Sequence, residues 1–196
     1  MTQSVLTKNI DLQKYKNLTF QLLIATIPVV LVGYIFKDLI EQRIFSIESI
    51  AISNLIFAAI LLLAFLKNKS GKGIYEITLF TALFIGIFQC FALIPGASRS
   101  GTAITAALLI GLNLKDASKF AFMLGIPTIL GALTLLIIDV QNTDIQFDFL
   151  ILITGFLTSM IFAFFTIKLF LSFVEKIGMV PFVLYRVLLG VILLLM

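Results

Sequence analysis

The run Pro95-Gly96-Ala97-Ser98-Arg99-Ser100-Gly101 gathers two hydroxyls, a guanidinium and two glycines within one short stretch. Gly96 and Gly101 permit φ values closed to other residues and let a ligand approach the backbone closely. Ser100 is placed to N-cap a short helix starting near Thr102, whose open N–H groups would then point back into the turn. Unpaired amides at a helix N-terminus form a ready anion site. Arg99 offers a planar fork matched to phosphate oxygens, and Ser98 and Ser100 add hydroxyl donors. The spacing therefore describes a phosphate cradle. The competing reading is a helix-breaking turn whose arginine snorkels to a membrane surface.

Composition narrows what chemistry is open to such a turn. The chain has 196 residues, 61% of them hydrophobic and 12% charged. A soluble domain carries about 25% charged residues, so water cannot solvate this surface all round. The net charge of +4 comes from Lys and Arg scattered among apolar runs, which make no basic face for nucleic acid. There is no histidine and one cysteine, Cys90. This excludes histidine general bases, histidine-dependent lipid phosphatases, internal disulfides and nearly every zinc site. Catalysis would have to run on carboxylates, hydroxyls, Arg or Lys, or on a metal held by oxygen.

The elements that must position the turn are membrane spans, judged against the roughly 20 apolar residues that cross a bilayer core. Met1–Asn17 is polar, lacks the apolar region of a signal peptide, and reads as a cytoplasmic lead. Leu18–Phe36, Ile50–Leu66, Ile74–Ile94, Phe120–Ile138, Phe149–Ile167 and Ile177–Met196 are each apolar and near the required length. Thr102–Leu114 is apolar but too short to cross alone. If residues 74–114 enter and return to one side, Lys8, Lys14, Lys16, Lys67, Lys69, Lys72, Lys115, Lys119 and Lys176 all face the cytoplasm. Lys37 and Arg43 then face outward, together with the acidic residues Asp139, Asp144 and Asp148. A single crossing would nearly erase that asymmetry, so the positive-inside rule favours a re-entrant hairpin. Its first arm, Ile74–Ile94, has 21 residues, about 31 Å as a helix, which sets the turn toward the outer face. The expected fold is an all-α polytopic membrane protein of one domain over 1–196. It comprises the lead 1–17, two spans in 18–66, the hairpin 74–114 and three spans in 120–196. Polar, glycine-rich backbone at membrane depth is tolerated only inside protein or beside a water-filled cavity, and a charged residue there is a functional candidate.

The motif Phe88-Gln89-Cys90-Phe91-Ala92-Leu93-Ile94-Pro95-Gly96-Ala97-Ser98-Arg99-Ser100-Gly101 resembles the second signature of the bacterial undecaprenyl-diphosphatase family. These integral membrane enzymes recycle the lipid carrier of cell-wall synthesis. The likeness continues through Phe122-Met123-Leu124-Gly125-Ile126-Pro127 with Gly131, and through Pro181-Phe182-Val183-Leu184-Tyr185-Arg186. At Thr102-Ala103 the family more often has the hydroxyl one position later. The resemblance implies hydrolysis of undecaprenyl diphosphate to the monophosphate in the bacterial inner membrane, at a site opening to the outer face. Ser98, Arg99 and Ser100 would be the catalytic residues that bind and orient the diphosphate. Gly96, Gly101, Thr102 and Gln89 would contact substrate. A polyprenyl diphosphate lipid and membrane lipids are the implied partners, and a homodimer is left open.

The resemblance also implies a divalent metal, Mg or Ca, whose ligands this chain does not supply. The family carries an earlier half-site, a pair of glutamates followed by Ser-Ser-Thr-Gly-His in a first hairpin, and no segment here matches it. The chain is therefore expected to be an N-terminally truncated member, by a misplaced start or by natural truncation. It would keep all of the second of two inverted repeats and part of the first, and the turn would be half an active site. The alternative function is a non-catalytic membrane protein that binds or transports lipid phosphates, keeping the anion site alone.

The remaining residues carry weaker expectations. Arg186 falls in the second turn of the last helix, where snorkelling to the cytoplasmic interface or pairing with Glu175 is favoured over touching a ligand. Gln89 suits either an interhelical hydrogen bond or the lining of a cavity. Cys90 reads as a small packing residue. The carboxylates read as solvated charges, none with the paired helical spacing of a general acid and base.

Overall fold

The computed structural model describes residues 2–41, 45–140 and 148–195, and all its regular elements among these are helical. They are α1 (Thr2–Ile35), α2 (Lys37–Glu41), α3 (Ile47–Lys67), α4 (Leu79–Gln89), α5 (Arg99–Leu109), α6 (Leu114–Val140), α7 (Phe149–Ile177) and α8 (Val180–Leu194). One 3-10 turn, Ile74–Glu76, precedes α4 and another, Cys90–Leu93, follows it. Lys8, Arg43, Asp139 and Asp144, which entered the charge reading, lie outside the residues whose side chains are described.

Stretches Asp11–Ile35, Ile47–Lys67, Leu114–Ile138 and Phe149–Ile177 are long and apolar enough to cross a membrane. The chain is an all-α polytopic membrane protein. Two expectations about length are corrected. The last helix spans 15 residues, about 22 Å at the helical rise, short of a full crossing. Helix α1 continues back through the polar lead to Thr2, because nothing in that lead interrupts helical backbone even where apolar character has ended.

The hairpin arm also departs from the 21-residue helix expected. Helix proper begins only at Leu79, where Thr78 caps it by accepting from the Thr81 amide. It gives way after Gln89 to a 3-10 turn, ahead of Ile94, whose extended backbone (φ −77°, ψ 120°) is what a residue before proline prefers. The two arms leave from and return to the same end of the molecule. The Lys72 amide donates to the Gly111 carbonyl at 3.1 Å, and the Asn113 amide to the Lys72 carbonyl at 3.0 Å. Asn68 Nδ2 reaches the Leu112 carbonyl at 2.6 Å, and Asp116 Oδ2 accepts from the Ile74 amide at 3.1 Å.

Helix α5 is the hub. Every residue from Gly101 to Leu108 is buried, with α3, α4 and α6 packed around it. Its small residues Ala103, Ala106 and Ala107 let those helices approach closely, the usual basis of helix association in lipid. Around it the core gathers Leu61, Ile85, Phe120, Leu124 and Met179. Outward, α7 exposes Phe149, Phe156, Phe162 and Leu169. Such faces suit hydrocarbon, in which apolar exposure carries no cost. Three polar cross-links tie the bundle: Gln21 to the Ile77 carbonyl, Gln89 to Thr128, and Asn54 to Arg186.

Candidate phosphate-binding site

The turn forms because its residues allow no regular helix. Pro95 and Gly96 occupy the middle of a tight turn closed by the Ala97 amide donating to the Ile94 carbonyl at 3.1 Å. Gly96 has φ 94°, and proline followed by a positive-φ glycine is the residue pattern of a type II turn. A β-carbon at Gly96 would lie 2.3 Å from the Ile50 carbonyl oxygen. Glycine is therefore required both by φ and by the closeness of α3. The turn lies level with Ile50 and Asn54, near the start of α3 and at the opposite end from Lys67.

The N-cap differs from the expectation. Helix α5 starts at Arg99, one turn earlier than foreseen, and Ser98, not Ser100, caps it. Ser98 Oγ accepts from the Gly101 amide at 3.3 Å, and its carbonyl accepts from the Thr102 amide at 2.9 Å. Ser98 holds φ 68°, a region rare for a residue with a side chain. Such backbone costs on the order of 1–3 kcal/mol and collects at functional sites. Ser100 then falls within the first helical turn, half-buried.

The expected site residues separate into two groups. Arg99 is exposed and lines a cavity of 310 Å³ between α1 and α6, with Val30, Lys37, Leu93, Thr128 and Leu135 among its neighbours. Ser98, Ser100 and Gly96 lie beside it, partly exposed. Thr102, Gln89 and Gly101 are buried. Thr102 is fully buried, its hydroxyl donating to the Arg99 carbonyl at 2.9 Å. Gln89 is 1% exposed and donates from Nε2 to Thr128 Oγ1 at 2.9 Å, the interhelical bond of its two readings. Gly101 has no positive φ. It is small for a packing reason, since a β-carbon there would meet Arg186 Nη1 at 2.9 Å and Ser98 Oγ at 3.2 Å.

Arg186 is the residue that the sequence reading misplaced. It neither snorkels to the lysine-rich end nor pairs with Glu175, which is instead bridged to Lys115. It is 3% exposed and reaches the turn. Its Nε donates to Asn54 Oδ1 at 2.8 Å, and Nη2 donates to the carbonyls of Gly96 at 2.8 Å and Ala97 at 3.2 Å. Turn carbonyls that no helix satisfies draw the guanidinium inward, and Asn54 completes its fork. The signal available in the sequence was the motif Pro181–Arg186 itself, but no spacing rule ties it to a turn some ninety positions earlier.

No carboxylate among the described residues is hydrogen-bonded or ion-paired to Ser98, Arg99, Ser100 or Arg186. Several of the described acids are occupied elsewhere. Glu76 accepts from the Gly73 amide, Asp116 holds Ile74 and Asn113, and Asp148 caps α7. Among the described residues no three His, Cys, Asp or Glu side chains come together as metal ligands. The donors at the turn are amides, hydroxyls and guanidinium groups, which suit an anion and repel a cation. The divalent metal implied by resemblance does not fit this donor set.

The family model for bacitracin resistance protein BacA matches residues 1–192. The chain is 43% identical over 176 residues to an undecaprenyl-diphosphatase of Teredinibacter turnerae, covering 90% of this chain and 67% of that protein. It is 41% identical over 177 residues to that of Saccharophagus degradans, covering 89% and 65%. It is 42% identical over 171 residues to that of Alcanivorax borkumensis, covering 87% and 64%. The chain thus spans about two thirds of the length of these curated relatives. With the matched region taking in the strained turn, the buried α5 and the helices that hold them, the chain belongs to the BacA family of bacitracin resistance proteins.

Proposed function

We propose that the turn Pro95–Thr102 binds the diphosphate of undecaprenyl diphosphate, and that the protein acts in its hydrolysis to undecaprenyl phosphate and inorganic phosphate. The observation that carries this reading is the position of Arg99. It stands beside the N-terminus of α5, without a carboxylate partner among the described residues, at the wall of a cavity otherwise largely apolar. An anionic head fits the guanidinium and the open end of α5, and a hydrocarbon tail fits Val29, Val30, Leu93, Leu135 and Leu136. The names of the relatives support the same substrate.

In this role Arg99 grips the phosphoryl oxygens. Ser98 and Ser100 lie beside it, where their hydroxyls can donate to the same group. The amides at the start of α5 favour the negative charge that grows as water attacks phosphorus and the bridging P–O bond breaks. Activation of that water is assigned to no described residue of this chain, and neither are metal ligands. The protein resides in the bacterial inner membrane with the turn on the outer side. Support comes from Lys67, Lys72, Lys115 and Lys176, which belong to the end opposite the turn.

The test is saturable binding of undecaprenyl diphosphate to the purified chain in lipid nanodiscs. Arg99→Ala should weaken it more than tenfold, and binding indifferent to that change would overturn the reading. Sidedness is checked with Cys90 replaced and a cysteine at exposed Ser46 or at exposed Ser70. A membrane-impermeant thiol reagent should label the first in intact spheroplasts and the second only after lysis.

A further inference from the structure

Arg186 leaves one nitrogen uncommitted. Nη1 has no hydrogen-bond partner and is closed off from solvent. It lies directly beneath the first turn of α5, where a β-carbon on Gly101 would come within 2.9 Å of it. The acceptors around the rest of the guanidinium are all neutral: Asn54 Oδ1 and the carbonyls of Asn54, Gly96 and Ala97. A charge buried this deeply normally has a carboxylate partner, because burying it alone costs several kcal/mol. The N-terminus of α5 makes its surroundings still more positive. Two positive potentials thus converge on one short segment, and the described residues place no negative charge against them.

We propose that Arg186 is a positioning residue for anion binding at the turn. Its charge, held beneath the N-terminus of α5, is balanced by a phosphate bound on the opposite, open side. Its remaining donors hold Gly96 and Ala97 in the shape that presents Ser98 and the α5 amides. Contact with the ligand is not direct, since Gly101 and Ser98 stand between. The influence is electrostatic, through an interior where charges are weakly screened. This explains why position 101 is a glycine without positive φ. A side chain there would push the guanidinium away from the helix end.

The role rests on the reading of the turn as a phosphate site, and the experiment separates the two. Inorganic pyrophosphate is titrated calorimetrically into the detergent-solubilised full chain, with thermal unfolding followed in parallel. Arg186→Gln is expected to weaken binding by about tenfold or more, as loss of an electrostatic group at a preorganised anion site does. Arg186→Lys, which keeps the charge, should recover part of that loss. Asn54→Asp places a carboxylate where the side-chain oxygen now accepts from Nε, giving Arg186 an internal counterion. Asn54 Nδ2 also donates to the Arg186 carbonyl at 2.6 Å, a bond that Asn54→Asp loses, so Asn54→Ala, which loses it without adding charge, is the control. Asn54→Asp should bind pyrophosphate about tenfold more weakly than that control. A purely structural arginine predicts affinity that follows stability, with Asn54→Asp binding no more weakly than Asn54→Ala and Lys no better than Gln; that pattern overturns the proposal. If Arg186→Gln does not fold, the Asn54→Asp comparison decides. An unaltered chain that binds no pyrophosphate removes the cradle and this role together. Binding by the unaltered chain that is indifferent to both Arg186 variants and to Asn54→Asp removes this role and leaves the cradle standing.

Discussion

The two ends of α5 are built from opposite principles. At its C-terminal end the chain closes on itself through the Lys72, Gly111 and Asn113 backbone, and Asn68, Asn113 and Asp116 add side-chain bonds, though the buried Ser118 hydroxyl nearby has no partner among the described residues. The nearby cation Lys115 has an anion, Glu175. At its N-terminal end lie a serine at φ 68°, an exposed arginine and a buried arginine, with no carboxylate paired to them among the described residues. One short helix thus joins an end whose lysines are exposed to an end where an arginine is buried with no counterion among the described residues. Matched charge beside a membrane core is what folding requires, whereas surplus charge is costly unless a ligand meets it. The proposed phosphate site draws on that difference.

The largest effect expected from this contrast concerns catalysis. With no carboxylate among the described residues held against the turn and no histidine in the sequence, the chain should release phosphate from undecaprenyl diphosphate slowly, even with added magnesium or calcium. General acid–base catalysis contributes about 10²–10⁴-fold, so the shortfall against a full-length relative should be of that order. Phosphate release measured side by side settles it, and equal rates would show that a base reaches the turn after all.

Next in size is the backbone. Gly96→Ala adds a β-carbon 2.3 Å from the Ile50 carbonyl at a positive φ. Overpacking costs about 1–3 kcal/mol and the left-handed backbone adds about 1–2 kcal/mol. Thermal unfolding in detergent should drop sharply, and an unchanged midpoint would mean that α3 does not brace the turn. Arg99→Lys should follow with a loss of about tenfold in lipid diphosphate affinity, some 1.4 kcal/mol, because lysine keeps the charge without the bidentate fork. Equal affinity would make Arg99 an interfacial anchor. Smallest is Glu175→Gln at the matched end. The pair with Lys115 is about half exposed on both sides, so less than about 1 kcal/mol of stability should be lost, with anion binding unaltered. A large loss of binding there would erase the contrast between the two ends.

Much of this was legible from residue order alone. The apolar runs, the lysine asymmetry and the short Thr102–Leu114 segment define a helical membrane protein with a chain reversal. The run Pro95–Gly101 announces a tight turn leading into a helix, because proline, glycine and serine act through local backbone geometry that a few neighbours determine. For the same reason the errors in local reading were small: a cap displaced from Ser100 to Ser98, a first arm shortened by its 3-10 turns. What residue order could not decide was which distant side chains meet the turn. Hydropathy and helical spacing place Arg186 near one end of α8 and recommend that its charge seek water. Only packing reveals that α3 and α8 bring Asn54 and unsatisfied turn carbonyls within its reach, so that its charge is drawn into the interior. The turn's own conformation is a matter of neighbouring residues. Its electrostatic surroundings depend on the helices packed against it, and those are set by tertiary structure.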